Sequence, residues 1–393
     1  MIFKDYSHLF LIDPRSIALN HGSFGAVPLE IVNYQFSLIK RMESLTTKFF
    51  TRELPSLLEE SLHVLTDFIN APYENTVFIK NATSAVNAVL NSIPFKKNDE
   101  IVTTNLIYAS CRKTLEHISA CKGVVVRQAE IPFPAHSDQK IFDTIMALVN
   151  NKTKLIFIDH ISSETATVMP VEKIIEEASK AGIDTFIDGA HAPGMIPLDI
   201  KKLNPTYYTG NCHKWLYTPK GSAFMYVKSE KIDQMTPPVI SNNFREGKSG
   251  VERFRNSFDW SATMDYSSFV CVGRTIKYLE NEVEGGWREI MKRNHQLVIS
   301  GRNTLSEILD TKNCIPDEMT GSMVTIKLGS KAVTDKKTGL DVLQIELLDR
   351  YNVEALITTL YPTNERILRI SAALYNNRAD YETLLDKLKI LLF

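Results

Sequence analysis

The interpretation of the whole chain depends on the stretch Thr206-Tyr-Tyr-Thr-Gly-Asn-Cys-His-Lys-Trp-Leu-Tyr-Thr-Pro-Lys-Gly-Ser-Ala-Phe-Met-Tyr-Val227. Its two apolar ends, Thr206–Thr209 and Ser222–Val227, predict strands, and Lys214 lies on the connection between them. A lysine buried at such a turn is costly, because taking an ammonium group out of water is unfavourable. Burial also lowers the pKa of a lysine and frees its amine to react with an aldehyde. The alternative is a surface lysine on a hairpin, and residues elsewhere in the chain distinguish the two.

Composition places the chain among ordinary globular proteins. Its 393 residues suggest two domains, or one large domain with an appendage, and 44% are hydrophobic and 23% charged. The net charge of −1 gives no overall field for nucleic acid or an anionic membrane, so neither is an expected partner. No membrane span or signal peptide is predicted. The five scattered cysteines lack zinc-binding spacing, so we expect no metal site and a cytoplasmic location.

From Thr76 onward, short β-branched runs alternate with amphipathic helices. The predicted strands are Thr76–Lys80, Glu100–Thr104, Gly123–Arg127, Lys154–Asp159 and Asp184–Asp188. This alternation indicates a parallel sheet covered by helices on both faces. The two strands that flank Lys214 have no full helix between them, which predicts an antiparallel edge.

Outside the sheet, the chain predicts two long helices, a polar connection and a final α+β segment. These are Pro28–Ser44 and Leu54–Ile69 for the helices, 228–256 for an irregular connection, and Tyr266 onward for a long helix, broken near Gly285, that leads into the α+β segment. The predicted domain limits are 1–19 for an N-terminal segment that joins the small domain, 20–262 for a large domain, and 263–393 for the small domain.

Several polar residues follow predicted strands, where ligands bind in α/β sheets of this type. The run Asn81-Ala-Thr-Ser84 begins a helix whose N-terminal amides suit a phosphate, although an ordinary helix cap is the alternative. Tyr108 is placed to stack on a flat ring, and Asp188 needs a cationic or donor partner. A phosphate site, an aromatic, an aspartate and a lysine are together what pyridoxal 5′-phosphate (PLP) requires, so PLP is the expected cofactor.

Six segments spread over nearly the whole chain carry a family resemblance. They are Leu19–Pro28, Phe50–Pro55, Asn81–Asn87, Ile187–Gly194, Gly210–Tyr217 and Leu368–Asn376. In these segments the chain resembles the class V aminotransferase family of fold-type I PLP enzymes, and most closely its isopenicillin N epimerase-like branch, which includes proteins similar to ergothioneine-pathway C–S lyases. The resemblance implies an α/β fold with a mostly parallel seven-stranded sheet between helices and a smaller α+β domain.

The resemblance also implies roles for individual residues. Lys214 resembles the Schiff-base lysine, Asp188 the partner of the pyridine nitrogen, and His191 a contact near the ring hydroxyl. The remaining cofactor positions are Ala82, Thr83, Ser84 and His213 for the phosphate, Tyr108 for ring stacking, and Ser163 where related desulfurases carry an asparagine facing the ring hydroxyl.

For the substrate, the resemblance implies an amino acid or amino-acid-containing small molecule. Arg369 resembles the arginine that grips its α-carboxylate, and Asn20 is expected to face the same group. The segment Trp260–Thr263 resembles one that reaches the phosphate of the neighbouring subunit, so Thr263 is a further expected cofactor contact. A homodimer with shared active sites follows from that resemblance.

The chain departs from the family pattern at two places. Ala262 and Met264 stand where the branch usually has glycine and arginine. Cysteine desulfurases carry a nucleophilic cysteine shortly before the carboxylate-binding arginine, whereas Cys314 lies 55 residues upstream of Arg369 and no cysteine lies between 332 and 369. This argues against persulfide chemistry.

Three reactions remain open on the sequence alone: epimerisation at the α-carbon, β-elimination from a cysteine-derived substrate, and transamination. Epimerase chemistry is the first prediction, although no second base can be identified. A non-enzymatic PLP-binding protein is disfavoured by the combination of Lys214, Asp188 and Arg369. Candidate residues for the substrate side-chain pocket, each also consistent with an ordinary surface role, are His21, Arg52, Arg245 and Arg255.

Overall fold

The computed structural model describes residues 3–244, 249–312, 314–329 and 332–392. Its strands are β1 (Ile17–Ala18), β2 (Thr76–Ile79), β3 (Glu100–Thr104), β4 (Val125–Ala129), β5 (Thr153–Asp159), β6 (Asp184–Asp188), β7 (Tyr207–Asn211), β8 (Ala223–Val227), β9 (Met323–Lys327), β10 (Val353–Glu354), β11 (Leu356–Leu360) and β12 (Glu365–Ser371). Its α-helices are α1 (His21–Phe24), α2 (Leu29–Ser44), α3 (Thr46–Lys48), α4 (Leu54–Phe68), α5 (Ala82–Ser92), α6 (Ala109–Lys122), α7 (Asp138–Met146), α8 (Val171–Lys180), α9 (Ile200–Leu203), α10 (Gly250–Asp259), α11 (Ser267–Glu282), α12 (Gly286–Leu305), α13 (Val342–Tyr351) and α14 (Arg378–Leu392).

The large sheet has seven strands in the order β2-β8-β7-β6-β5-β3-β4. The strands from β7 to β4 are parallel, and β8 is antiparallel to both of its neighbours. The predicted α/β fold with a mostly parallel seven-stranded sheet is therefore confirmed. The predicted antiparallel edge was wrong by one strand, because β8 lies inside the sheet and β2 forms the edge. Every residue of β8 is buried, so its second side needs a partner strand.

Helices cover both faces of this sheet. Along β5, Leu155 and Phe157 pack into one apolar core while Ile156 and Ile158 pack into another on the opposite face. Side chains alternate between faces in a strand, so a strand buried on both sides reads as a continuous apolar run.

A smaller assembly follows the large sheet along the chain. Strands β11, β12 and β9 form an antiparallel sheet, and β1 pairs in parallel with β10 through Ile17 and Val353. Apolar residues of α12, α13 and α14 pack in the same core as this sheet. The N-terminal segment is therefore tied to the C-terminal part of the chain by strand pairing, while the domain limits given above stay a prediction.

The connection 228–256 was predicted to be irregular, and this was wrong for its last part. Helix α10 begins at Gly250 and buries Phe254 and Phe258, which lie four residues apart and so on one face. This short apolar repeat was missed in the sequence because polar residues surround it. Within the described ranges, no helix is long and apolar enough to cross a lipid bilayer.

Candidate active site

A cavity of about 250 Å³ lies where β5, β6 and β7 end. Its lining residues are Ser23, Phe24, Asn81, Ala82, Thr83, Tyr108, Asp159, Ile161, Ser163, Asp188, Ala190, His191, Asn211, His213 and Lys214. The structure thus brings together most of the residues predicted from sequence. Ser84, Thr263, Asn20 and Arg369 do not line the cavity.

Lys214 follows β7 on the turn that leads to β8, and its amine contacts a buried histidine. Its Nζ lies 3.0 Å from His191 Nε2, and the Trp215 indole N–H donates to His191 Nδ1 at 3.2 Å. Because the indole can only donate, a neutral His191 carries its proton on Nε2 and donates it to Lys214. This hydrogen bond forms with the uncharged amine form of Lys214. Burial, followed by the positive charge of Arg369, lowers the pKa of Lys214 to about 8.

The N-terminal turn α1 holds the backbone around Lys214. His21 Nε2 donates to the Lys214 carbonyl at 3.0 Å, and its Nδ1 is 2.8 Å from the Tyr375 hydroxyl. Gly25 has φ +63°, and a Cβ at this position would lie 2.6 Å from the His213 carbonyl oxygen. The side chain of His21 therefore supports the turn that carries Lys214. It does not line the cavity, although it was a candidate for the substrate side-chain pocket.

Asp188, the last residue of β6, is a buried carboxylate with two donors. The Ala190 N–H donates to its Oδ1 at 2.9 Å, and the Cys111 thiol donates to its Oδ2 at 3.4 Å. Burial raises the pKa of Asp188. A cationic partner such as a pyridinium nitrogen would offset that desolvation.

The start of α5 faces the other end of the cavity. Asn81 caps the helix, because its side-chain oxygen accepts from the backbone N–H and the hydroxyl of Ser84 at 2.8 and 3.0 Å. Ser84 is thereby turned away from the cavity, while Ala82 and Thr83 line it. The Ala82 N–H donates to Asn211 Oδ1 at 2.9 Å, so Asn211 ties this helix to β7. Anions bind well at such helix starts.

His213 lines the same end and is neutral. Its Nδ1 donates to the Ser222 carbonyl at 2.7 Å, which leaves Nε2 without a proton. Burial lowers the pKa of His213 to about 4. A phosphate dianion beside it would raise that pKa and favour the protonated, donating form.

Arg369 lies directly behind two lining residues. One of its guanidinium nitrogens donates to the Ser163 carbonyl, and the other donates to Asn20 Oδ1 and Ser23 Oγ at 3.0 Å each. Burial lowers the pKa of Arg369 to about 10. Asn20 therefore orients this arginine.

The other predicted residues lie in different settings. Tyr108 lines the cavity and is 41% exposed, whereas Thr263 is exposed on the surface. Arg52 is also exposed, and Arg255 is bound to Tyr73, Thr76 and Asp259. Arg245 lies outside the described residues.

Among the residues of this site, Asn211, Asp159 and Cys111 were given no role from the sequence. Asn211 and Asp159 end strands β7 and β5, and Cys111 lies in α6. The position of Asp159 at the end of a strand could have indicated a site residue, because Asp188 was predicted from the same kind of position. The contacts of Asn211 and Cys111 join residues that are 129 and 77 positions apart, which no local pattern indicates.

A family model described as Aminotransferase class-V matches residues 40–384. The chain belongs to the class V aminotransferase family. It is a PLP-dependent enzyme. The chain is 30% identical to an L-cysteine desulfhydrase of Arabidopsis thaliana, over 94% of this chain and 86% of that protein. It is 28% identical to an isopenicillin N epimerase of Amycolatopsis lactamdurans, over 96% of each.

The fold is similar to solved structures of this class. A mutant of C-DES with glycine covalently linked to its PLP cofactor superposes with a TM-score of 0.82 at 17% identity, covering 98% of this chain and 99% of that one. The cavity residues themselves suit PLP, because a lysine with a pKa lowered to about 8, a buried strand-end carboxylate and a helix start surround one space. When bound, PLP would draw electrons from the α-carbon of an amino acid.

Proposed function

We propose that the protein is a PLP-dependent C–S lyase that acts on L-cysteine or a cysteine-derived amino acid. The observation that carries this proposal is the basic pair formed by Lys214 and His191, 3.0 Å apart. β-Elimination needs one base at the α-carbon, whereas epimerisation needs a proton acceptor on each face. A lysine of lowered pKa held by a histidine on one side of the cavity suits the first reaction.

The roles of the protein's own groups follow from their contacts. Lys214 Nζ would take the proton from the substrate α-carbon, and His191, held by Trp215, would keep that amine oriented. Arg369, steadied by Asn20, would attract the α-carboxylate. Asp188 would hold the ring nitrogen of PLP. As the Cβ–S bond breaks, Lys214 would pass that proton to the leaving sulfur, which would depart as hydrogen sulfide from L-cysteine or as a thiol from a substituted cysteine.

Similarity to the L-cysteine desulfhydrase supports the same class of reaction. The chain lacks a cysteine between residues 332 and 369 to receive sulfur. Cys111 is buried and donates to Asp188, and burial raises the pKa of its thiol. Release of free sulfide therefore suits this chain better than transfer to a protein persulfide.

The test is to incubate the holoenzyme with L-cysteine, L-cystine and a panel of other amino acids in deuterated water. For L-cysteine, the elimination consumes one water and yields sulfide, pyruvate and ammonia in equal amounts. A Lys214→Ala variant is the control and should form none. Absence of sulfide and pyruvate with every sulfur-containing substrate would refute the proposal.

Epimerisation is the second candidate, favoured by the similarity to isopenicillin N epimerase over 96% of each chain. In the same assay it would place deuterium at an inverted α-carbon without loss of the side chain. Transamination would instead depend on an added keto acid.

We also propose that the protein is a homodimer in which Thr263 reaches the active site of the other subunit. The exposed position of Thr263, away from its own cavity, supports this arrangement. A cytoplasmic location is proposed on the cysteine usage described above.

A further inference from the structure

Asp159 is a buried carboxyl group that the roles above do not use. It ends β5, is 4% exposed and lines the cavity. Within the described part of the chain, its Oδ1 atom is buried and has no hydrogen-bond partner. An unpartnered carboxyl oxygen in such a place is costly unless it faces a ligand.

Asp159 lies beside Asp188. The two are register partners on the parallel strands β5 and β6, so both side chains point to the same face of the sheet, with the strands about 4.8 Å apart. Two carboxylates this close in a buried site do not both ionise readily, and they share a proton instead.

The hydrogen bonds decide which carboxyl keeps the proton. Asp188 accepts from the Ala190 N–H and from the Cys111 thiol, two donors that stabilise its charged form. In the described part of the chain, the donor to Asp159 is the backbone N–H of Tyr108. The ionised form therefore belongs on Asp188 and the proton on Asp159.

The charges around the pair point the same way. Burial and the neighbouring Asp188 raise the pKa of Asp159 well above its usual value, and Glu164 on the following loop adds to this. The opposing positive charge comes from Lys214, whose pKa burial lowers to about 8. A single cation offsets one negative charge of the pair, and the hydrogen bonds place that charge on Asp188.

We propose that Asp159 is a further cofactor-binding residue, which stays a neutral carboxylic acid and donates a hydrogen bond into the cavity to an acceptor atom of PLP. Asp188 then carries the single negative charge of the pair. This inference rests on the PLP site of the proposed function and adds a donor to it. It also predicts different effects of asparagine at the two positions. Asparagine keeps a hydrogen-bond donor and has no charge, so it can take the role of Asp159 but not that of Asp188.

The first experiment uses the protein without PLP, so it does not depend on the proposed function. Infrared difference spectra at neutral pH compare the wild type with Asp159→Asn and with Asp188→Glu, which keeps a second carboxyl group in the pair. We expect a carboxylic-acid C=O band in the wild type that disappears in D159N and keeps its frequency in D188E. A wild type without that band, or a band that shifts in D188E, would overturn the proposal.

The second experiment measures the Kd for PLP by the visible absorbance of the reconstituted protein. D159N should stay within about threefold of the wild type, while Asp159→Ala should bind roughly tenfold more weakly because it loses one hydrogen bond. Equal weakening in D159N and D159A would contradict the proposal. Failure to form sulfide would instead remove the C–S lyase assignment and leave these two results standing. If D159A does not fold, the infrared result on D159N still decides.

Discussion

The buried surroundings of Lys214 lower its pKa to about 8 and so favour the uncharged amine. The Trp215 indole fixes the tautomer of His191, and His191 in turn presents a proton to the lysine. Reactivity therefore depends on a chain of hydrogen bonds from a buried tryptophan. A lysine on an exposed hairpin would have no such partner.

The altered pKa of Lys214 predicts a pH-dependent stability of the protein without PLP. Between about 8 and 10.5, the folded and usual pKa values, the unfolded chain binds one more proton than the folded one. Stability therefore rises with pH over this range, and the full cost of the lysine is present below it. Lys214→Met should be more stable than the wild type at neutral pH by about 2 kcal/mol, allowing for water in the open cavity. Denaturant unfolding measures this, and a difference that does not shrink as pH rises would contradict it.

Arg369 provides a second prediction at this scale. Arg369→Lys keeps the positive charge but loses the planar fork that donates to Asn20, Ser23 and Ser163. We expect the KM for the amino-acid substrate to rise roughly tenfold, with a smaller change in kcat. Steady-state kinetics test this. The visible absorbance of bound PLP should stay as in the wild type, and its loss would show that the residue holds the cofactor instead.

At the scale of elements, the turn α1 and the loop before α2 form one wall of the lysine site. Asn20 and Ser23 reach Arg369, His21 reaches the Lys214 carbonyl, and Gly25 packs on the backbone of His213 and Lys214. Residues from the N-terminal segment thus support groups that lie far along the chain. These contacts hold α1 in place, although it is short and has little apolar surface.

Gly25→Ala tests that packing, with Gly182→Ala as a matched control. Both glycines have positive φ, +63° and +68°, so an alanine at either position is strained, and the ψ of 152° at Gly25 lies in a region that essentially only glycine adopts. Only at Gly25 would the added Cβ meet the His213 carbonyl, at 2.6 Å, while nothing lies within 4 Å at Gly182. We expect G25A to lose more stability in thermal unfolding and to bind PLP more weakly. Equal behaviour of the two variants would mean that this wall does not position the lysine.

At the scale of the whole molecule, the two sheets meet through buried polar contacts. The buried Arg293 of α12 donates to the carbonyl oxygens of Lys4, Ala373 and Asn376, and Tyr217 accepts from Asn294 at 3.1 Å. These bonds join the N-terminal segment, the turn after Lys214 and the C-terminal part. The proposed homodimer adds a second copy to this arrangement.

Mixing two inactive variants tests the shared site. Lys214→Ala removes the base, and Thr263→Glu places a charge where a phosphate is proposed to bind. If Thr263 serves the other subunit, mixed dimers contain one intact site, and random exchange should restore roughly a quarter of the wild-type activity. Each variant alone is the control. No recovery from mixed dimers, with dimer formation verified by sedimentation, would place Thr263 outside the partner's site.

The sequence by itself determined the fold class and the centre of the site. Alternating strands and helices predicted the parallel sheet, and strand ends predicted Asp188 and Lys214, because these signals are local and periodic. The structure alone decided that β8 lies inside the sheet, that α10 is a helix, and that Ser84 donates to the Asn81 cap and does not line the cavity. It also placed Cys111 and Asp159 beside Asp188. Such contacts depend on strand register and on pairs far apart in the chain, which no short pattern encodes.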